Sequence, residues 1–400
     1  MIVNWSHAQS NLVVDWVKDH AVKIDQSFGM SYLTTRHDIQ IIGLGEASHG
    51  QGSFFTHKAN SFKWLVENAG FRIFALEAGF SEALKINDYV LFGNGSAKAG
   101  LKYLNYGVWE IQEFVDLIEW MREFNKEKPI DERVKFYGFD CQMAKGGVEY
   151  LKSIQRLIDY NFTNSDSILL KDLLKLQSTR DKQLARSILP RLSVFTITLE
   201  TKILESDQNE DLKKTTITVI KNLLYFCKTE INSERTNSLN RAKYMAENIG
   251  HILDIEGSST KLVLSAHNGH LTIYPKEEET GYWLKIKFGT KYYAFGYEFN
   301  QGKILGFDIV NNEVISRNLV IKPAKKGSLG HLLSSAVRHD CILDFRSSNT
   351  PKWFYKKQLC SDVLGCYGQI GCNKRYHKIN VGRSFDGNIF IQETVASRRI

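Results

Sequence analysis

Four short apolar runs, each followed directly by an ionisable residue, constrain the fold of this chain more than any other feature. The runs and the residues after them are 39–45 with Glu46, 71–76 with Glu77, 134–139 with Asp140, and 261–266 with His267. Continuous apolar runs of this length are typical of strands buried on both faces. Helical patterns separate the first three runs. This order predicts parallel β-α-β units, and therefore an α/β fold with a central, mostly parallel sheet flanked by helices.

The helical stretches have recognisable ends. Ser53 is the predicted N-cap of a helix that Gly70 ends, because apolar side chains recur between them at helical spacing. Two further helices are predicted at 81–92 and 110–126. Together they supply the crossovers that parallel strands require.

The pattern divides the chain into three parts. Residues 1–147 form the first half of the α/β core and carry the strand ends with catalytic residues. Residues 148–258 contain amphipathic stretches, broken at Pro190, and no convincing strand, so we expect a helical insert or lid. Residues 259–400 complete the core with further strands at 292–299, 341–345 and 388–392.

Composition narrows the classes of partner. The 52 Lys and Arg residues exceed the 44 Asp and Glu residues by +8, but they are scattered and form no run of like charges, so no nucleic-acid partner is expected. The amino-terminal residues lack a signal-peptide pattern, and no apolar stretch reaches roughly 18 residues. We therefore expect a cytoplasmic protein without a membrane partner.

The six cysteines form no CxxC pair that would indicate a zinc or redox site. Three lie in apolar segments and are predicted to be buried, inert thiols: Cys141, Cys227 and Cys341. The other three are evenly spaced in a loop-like segment: Cys360, Cys366 and Cys372. A metal or disulfide role for this second group stays open.

The ionisable residues after the apolar runs predict a single active-site crevice. Ligands bind to parallel α/β sheets outside the carboxyl ends of the strands, so these four side chains should face one cleft. The segment Gly45-Glu46-Ala47-Ser48-His49 is the densest of them. His49 could take a proton from water while a carboxylate orients its imidazole. The segment matches neither a dinucleotide fingerprint nor a phosphate-binding loop, and the chain has no GxSxG nucleophile elbow.

His267 and His270 form a second group at a strand end. They could join Glu46, His49 and Glu77 in a zinc-like shell, or they could bind substrate and stabilise an oxyanion without a metal. Because the chain has no HExxH or comparably specific ligand spacing, the metal-free alternative is favoured. We accordingly expect no cofactor, with a divalent metal as the less favoured alternative.

At these residues the sequence resembles the erythromycin esterase family. The resemblance rests on short motifs in a specific order: Gly45-Glu46-Ala47-Ser48-His49, Phe74 to Phe80, Gly138-Phe139-Asp140, Tyr244-Met245-Ala246, Ala266-His267-Asn268-Gly269-His270 and Phe385-Asp386-Gly387. It implies that His49 is the general base that activates water, with Glu46 and Glu77 as further catalytic residues. It places His267, His270 and a basic residue on the first helix of the core in the same cleft. That basic residue is Lys58 here, where some family members have Arg.

The resemblance implies a carboxylic ester hydrolase. Its expected reaction is hydrolysis of the lactone ester of 14-membered macrolides such as erythromycin, which would confer resistance to these antibiotics. The expected partners are the macrolide and water, with substrate contacts from His267, His270, Lys58 and Asp140. Two alternatives stay open: a metal-dependent hydrolase of another ester or amide, and a non-catalytic binder of bulky apolar ligands.

Overall fold

A computed structural model describes residues 7–25, 27–34, 38–310, 313–361 and 376–400. The protein is a mixed α/β structure with a large central sheet flanked by helices, as the apolar runs predict. The chain forms two compact units. The first unit comprises Met1–Phe74, Asn105–Val134 and Lys261–Ile400, and the second comprises Ala75–Leu104 and Lys135–Thr260.

The described strands, in chain order, are β1 (Val22–Lys23), β2 (Ile41–Leu44), β3 (Phe71–Gly79), β4 (Lys135–Asp140), β5 (Lys261–Ser265), β6 (Tyr292–Val310), β7 (Glu313–Ile321), β8 (Cys341–Asp344), β9 (Gln358–Ser361), β10 (Tyr376–Ile379) and β11 (Gly387–Thr394). In the first unit the strand order is β1-β8-β11-β6-β2-β5. Strand β2 pairs in parallel with both β5 and β6, and β11 pairs in parallel with β6. The outer pairs β1–β8, β8–β11 and β6–β7 are antiparallel. The carboxyl ends of β2 and β5 therefore lie together.

The described α-helices are α1 (His7–His20), α2 (Ser31–Thr34), α3 (Gly52–Ala69), α4 (Phe80–Phe92), α5 (Ala97–Tyr103), α6 (Gln112–Asn125), α7 (Lys145–Ile154), α8 (Asn164–Thr179), α9 (Lys182–Glu205), α10 (Glu210–Lys228), α11 (Glu234–Glu256), α12 (Asn268–Leu271), α13 (Thr280–Phe288), α14 (Leu329–Ala336) and α15 (Val381–Ser384). Within these described ranges, no helix is long and apolar enough to cross a membrane.

Helix α3 shows how closely the sequence pattern predicts a helix boundary. Gly70 ends α3 in the left-handed region, with φ of 73°, as its position after the apolar pattern predicts. The predicted N-cap is wrong, because Gln51 occupies that position. The Ser53 hydroxyl instead accepts a hydrogen bond from the Val395 amide at 2.9 Å. A long-range contact with the end of β11 therefore replaces the local cap.

The elements between residues 148 and 258 are helices that belong to the second unit, which also contains α4, α5, β4 and the end of β3. Pro190 does not break this region, contrary to the sequence prediction, but lies inside the continuous helix α9. Proline in a helix interior costs about 3 kcal/mol. Helix α9 buries Ile188, Leu192, Phe195 and Leu199 along one face, and this burial offsets that cost.

The cysteines of the apolar segments are buried, as predicted: Cys141, Cys227 and Cys341. Burial raises the pKa of the Cys141 thiol well above its usual value, which makes it a poor nucleophile. Cys360 is also buried and lies in β9, so the loop-like environment predicted for it is wrong. Cys366 and Cys372 lie outside the described residues.

Candidate active site

The turn between β2 and α3 holds Glu46 and His49, and tight backbone packing fixes its shape. The Gly45 amide donates to the Phe295 carbonyl on β6 at 3.0 Å. A Cβ atom at Gly45 would lie 2.9 Å from that same oxygen, and one at Gly50 would lie 1.8 Å from the Leu305 carbonyl oxygen. Any side chain at either position would therefore push the turn away from β6.

Asn268 connects this turn to β5 and β6. Its backbone amide donates to the Glu46 carbonyl at 2.9 Å. Its side-chain amide forms two bonds of 2.9 Å with the Tyr297 backbone, one to the carbonyl and one from the N–H. The Asn of the His-Asn-Gly-His segment thus holds the strand ends of the first unit in register.

Glu46, His49 and Lys58 form a buried charge cluster in the first unit. The Glu46 carboxylate is fully buried. His49 Nδ1 lies 2.8 Å from Glu46 Oε1, and Lys58 Nζ donates to Glu46 Oε2. Lys58 is also fully buried and donates to the Ser265 hydroxyl at 3.1 Å. A buried carboxylate is unfavourable without a counter-charge, and Lys58 supplies that counter-charge to Glu46.

Aromatic rings surround this cluster. Trp109 packs edge-on against His49, with ring centroids 4.8 Å apart. Phe55 and Tyr297 contact Lys58, whose Nζ lies 5.4 and 5.7 Å from their ring centroids. These rings exclude water from the ion pair and lower the local dielectric, which strengthens its electrostatic interactions.

The hydrogen bonds of His49 and His267 assign opposite tautomers to the two rings. A carboxylate can only accept, so His49 Nδ1 carries the proton that it donates to Glu46, and the neutral ring is basic at Nε2. His267 Nδ1 accepts a hydrogen bond from the Gly269 amide at 3.0 Å, so its neutral ring is protonated at Nε2. The two ring centroids lie 5.9 Å apart. The pair therefore combines a proton acceptor with a hydrogen-bond donor.

The structure gives two of the predicted substrate-binding residues other environments. Lys58 is fully buried and its ammonium group pairs with the Glu46 carboxylate. His270 Nδ1 lies 3.2 Å from Glu279 Oε2, and its side chain is partly exposed. His267 is brought next to His49, whereas the contact with Glu279 gives His270 a different partner.

Glu77 and Asp140 meet at an arginine in the second unit. Arg241 donates two hydrogen bonds to Asp140, from Nε to Oδ1 at 2.9 Å and from Nη2 to Oδ2 at 2.7 Å. The same Nη2 lies 3.2 Å from Glu77 Oε1. Asp140 also accepts from the Cys141 amide at 2.7 Å. One cation thus balances two buried carboxylates.

Sequence reasoning missed Arg241, which lies on α11, 101 residues from Asp140 along the chain. A usable signal exists, because several acidic strand ends need a cation to offset their burial. The pattern does not say which basic residue meets this need. The segment around Tyr244, included in the family resemblance, lies only one helical turn from Arg241.

His57 lies next to Lys58 in the sequence but belongs to a neutral network. His57 Nε2 donates to the Phe28 carbonyl at 3.1 Å, so Nδ1 accepts from the Tyr297 hydroxyl at 2.8 Å. Burial is the main cause that lowers the pKa of His57 to about 4. The ring is therefore uncharged near neutral pH, which avoids a second positive charge next to Lys58.

The sequence model of the family described as erythromycin esterase matches residues 66–394 of this chain. The chain belongs to the erythromycin esterase family. The matched residues include Glu77, Asp140, His267 and His270, and they begin after the turn that carries Glu46 and His49.

Full-length relatives extend the similarity to the amino-terminal side. The chain is 23% identical over 395 residues to a Bacillus subtilis protein named as a hydrolase, YbfO, covering 85% of this chain and 83% of that protein. It is 22% identical over 406 residues to erythromycin esterase type II of Escherichia coli, covering 90% of this chain and 91% of that enzyme.

Solved structures of similar proteins have the same fold. A Bacillus cereus protein matches with a TM-score of 0.82 and 20% identity, covering 98% of this chain and 99% of that chain. An erythromycin esterase mutant in its open conformation matches with a TM-score of 0.69 and 16% identity, covering 94% and 98% of the two chains.

Proposed function

We propose that this protein is a carboxylic ester hydrolase that opens the lactone of a 14-membered macrolide such as erythromycin. The observation that carries the proposal is the buried Glu46–His49–Lys58 cluster, which leaves His49 basic at Nε2. Membership of the erythromycin esterase family and the similarity to the Escherichia coli enzyme support the substrate class. Such an activity would confer macrolide resistance on a cell that contains the protein.

His49 activates the nucleophile in the proposed mechanism. Its Nε2 removes a proton from water as the oxygen attacks the ester carbonyl, and Glu46 stabilises the imidazolium that forms. The Nε2–H of His267 donates to the oxyanion of the tetrahedral intermediate. As the carbon–oxygen bond to the alcohol breaks, the His49 imidazolium returns the proton to the leaving alkoxide. Because the ester is a lactone, the carboxylic acid and the alcohol that form belong to one ring-opened molecule.

Lys58 acts through Glu46 in this mechanism and is a positioning residue. Its charge balances the Glu46 carboxylate, and its bond to Ser265 anchors the pair to β5. The ionised Glu46 in turn holds the His49 tautomer. The contacts of Lys58 with Glu46 and Ser265 support this positioning role, which we propose in place of the direct substrate contact that the resemblance implies for the basic position.

Glu77 stays a proposed catalytic residue on the strength of the family resemblance, and Asp140 and His270 stay proposed substrate-binding residues. Their described contacts support a role in orienting neighbouring groups. Asp140 forms a bidentate contact with one edge of the Arg241 guanidinium, through Nε and Nη2, and Glu77 contacts the same Nη2. Replacing Glu77 by Gln removes this charge with little change of shape, and we expect a loss of activity without unfolding.

We propose that the reaction needs no metal. His267 Nδ1 accepts from the Gly269 amide, so Nε2 carries the proton in the neutral ring and presents a donor in place of a ligand lone pair. A titration with EDTA followed by elemental analysis tests this point. Retention of activity in metal-depleted protein supports it, and loss that zinc or another divalent ion restores would favour the metal-dependent alternative.

The substrate proposal is tested by incubating the purified protein with macrolides of several ring sizes. Mass spectrometry should show the gain of one water on 14-membered lactones. In ¹⁸O-labelled water the label should enter the new carboxyl group, because the nucleophile is water. Binding without a mass change would identify a non-catalytic binder, and no mass gain on any macrolide would overturn the substrate assignment.

A further inference from the structure

Residues 395–400, which we call the strap, follow β11 and pack against the chain at the start of α3 in the first unit. The Ser397 amide donates to the Gly50 carbonyl at 3.0 Å, one residue after the proposed base. Gln51 and Ala396 form an antiparallel bridge beside this bond. The strap is therefore tied to the main chain directly after the residue that activates water in the proposed mechanism.

The same strap holds the segment that carries Trp109. The Gln112 amide donates to the Arg398 carbonyl at 2.7 Å, and the Ile400 amide donates to the Glu110 carbonyl at 3.2 Å. These two bonds form a short antiparallel pairing at the entry to α6. One segment of the chain therefore contacts both the turn after the proposed base and the turn whose ring packs against that base.

Trp109 depends on such long-range contacts because it lies in a single 3₁₀ turn, Gly107–Trp109. A turn of this length has few hydrogen bonds of its own. Arg399 donates from Nη1 to the Gly107 carbonyl at the start of the turn. The Trp109 side chain is buried, and its ring centroid lies 4.8 Å from that of His49. A movement of the strap would therefore move the Trp109 ring relative to His49.

Glu113, in the first turn of α6, binds both the main chain and the side chain of the strap. Its carboxylate accepts from the Arg398 amide, at 3.3 Å to Oε1 and 3.2 Å to Oε2, and from Arg398 Nε at 3.1 Å to Oε1. Glu113 is buried, whereas the Arg398 side chain is 62% exposed. An exposed ion pair contributes little by itself. The bonds from the Arg398 amide to the buried, charged acceptor therefore supply most of this attachment.

Asp116, three residues further along α6, offers a natural comparison. Its Oδ2 accepts from Arg398 Nη2 at 2.9 Å, and its side chain is 52% exposed. This contact involves the end of the guanidinium and not the main chain of the strap. A change at Asp116 therefore alters the charge around Arg398 while the bonds between Glu113 and the strap remain.

We propose that Glu113 is a positioning residue for ester hydrolysis, an inference that rests on the proposed function. Glu113 holds the strap, the strap holds the turn that carries Trp109, and the Trp109 ring limits the orientations of the His49 imidazole. Orientation matters because a misplacement of about 1 Å can lower the rate of a reaction about 10²-fold. Loosening the strap therefore slows the chemical step and leaves substrate affinity nearly unchanged.

The first test follows Trp109 without any substrate. The full-length protein is labelled with 5-fluorotryptophan, and Trp109→Phe identifies the Trp109 resonance among those of the seven tryptophans in the fluorine NMR spectrum. Glu113→Gln keeps the shape of the side chain but leaves one acceptor oxygen and no charge, so it should shift or broaden this resonance. Asp116→Asn, the matched control, should leave it unchanged. The same Trp109 resonance in wild type and Glu113→Gln would overturn the proposal.

The second test asks whether Glu113 acts on catalysis through Trp109. Glu113→Gln should lower kcat about tenfold and change KM less than about twofold, whereas Asp116→Asn should keep both values. Trp109→Leu should also lower kcat. Adding Glu113→Gln to Trp109→Leu should cause little further loss, because the ring that Glu113 positions is then absent. A full additional loss of about tenfold in the double variant would contradict the proposal.

The two tests separate this inference from the proposed function. Circular dichroism of each variant excludes unfolding as the cause of a lower kcat. If Trp109→Leu does not fold, the fluorine spectra of Glu113→Gln and Asp116→Asn still decide whether Glu113 holds Trp109. If the wild type hydrolyses no ester, the proposed function fails, and an unaltered Trp109 resonance in Glu113→Gln would show separately that the strap does not position this ring.

Discussion

The two units stabilise buried carboxylates near the ends of strands in different ways. In the first unit the Glu46 carboxylate lies between a cation, Lys58, and a titratable imidazole, His49. In the second unit a single cation, Arg241, lies between Asp140 and Glu77. The first arrangement keeps one ring nitrogen of His49 available for proton transfer. In the second arrangement the charged groups bind one another, so it is better suited to orienting side chains than to transferring a proton.

The two units also differ in the direction in which burial shifts the pKa of a further titratable group. His57 in the first unit is kept neutral because burial lowers its pKa to about 4. Glu82 in the second unit has its pKa raised to about 7, chiefly by burial, although the Gly146 amide donates to its carboxyl group at 2.7 Å. Low pH, which favours protonation of His57, and high pH, which favours ionisation of Glu82, should therefore each destabilise the folded protein.

The largest expected effect on stability comes from removing the cation of the first unit. Lys58→Met leaves Glu46 fully buried without a counter-charge, so the free energy of unfolding should fall by about 3–5 kcal/mol. Urea denaturation measures this change. The double variant Lys58→Met with Glu46→Gln removes both charges and should recover much of the loss. A double variant as unstable as the single one would contradict the charge-balance role of Lys58.

Removing the cation of the second unit should have a somewhat smaller effect. Arg241→Ala exposes two carboxylates to each other's repulsion, and we expect a loss of about 3 kcal/mol because the arginine side chain is 16% exposed. Asp140→Asn in the same chain should restore part of this loss. Additivity of the two substitutions in urea denaturation would show that the pair is not coupled.

The pH dependence of stability separates the units further. The pKa of His57 is lower in the folded state than the ordinary 6.5, so the unfolded state binds the proton more readily. The contribution of His57 to the free energy of unfolding is complete above pH 6.5. It should fall by about 3 kcal/mol as the pH is lowered from 6.5 to 4. The difference in unfolding free energy between wild type and His57→Gln, measured across this range, should follow that curve. A difference that does not vary with pH would exclude the assigned pKa.

Glu82 should show the opposite sign. Its pKa is higher in the folded state than the ordinary 4.5, so its contribution is complete below pH 4.5 and is lost as the pH rises through about 7. We expect a change of about 3 kcal/mol or less. The comparison of wild type with Glu82→Gln, which keeps the shape of the side chain, measures it. A wild type that gains stability relative to Glu82→Gln over this range would reverse the assigned sign.

The sequence predicts the positions of the core strands well and the partners of their side chains poorly, for a physical reason. Apolar runs and the charges after them are local, so Glu46, Asp140 and His267 can be placed at the ends of β2, β4 and β5 from the sequence. Glu77 instead lies inside β3, which continues to Gly79. The pairing of Lys58 with Ser265, 207 residues away, depends on how α3 packs against β5. The role of Arg241 depends likewise on the rotation of α11. These long-range contacts produce no periodic pattern in the sequence.

Boundaries show the same limit. The predicted strand at 292–299 continues to Val310 because β7 pairs with its second half. Gly302 permits this continuation, with φ of 129°, where a Cβ atom would lie 2.1 Å from the Thr394 carbonyl oxygen. The polar residues around this glycine resemble a loop in the sequence, and only the antiparallel partner reveals the strand.

The central claim is that Glu46 holds His49 as the base that activates water, and the pH–rate profile of ester hydrolysis tests it most directly. For wild type, kcat/KM should rise with pH as one group deprotonates. His49→Ala should lower kcat by about 10²- to 10⁴-fold and abolish the rise of kcat/KM with pH. The control is His331, a half-buried histidine on α14, and His331→Ala should keep both the kcat and the pH dependence of the wild type. Unchanged circular dichroism would exclude unfolding as the cause. Full activity with an unaltered profile in His49→Ala would contradict the account.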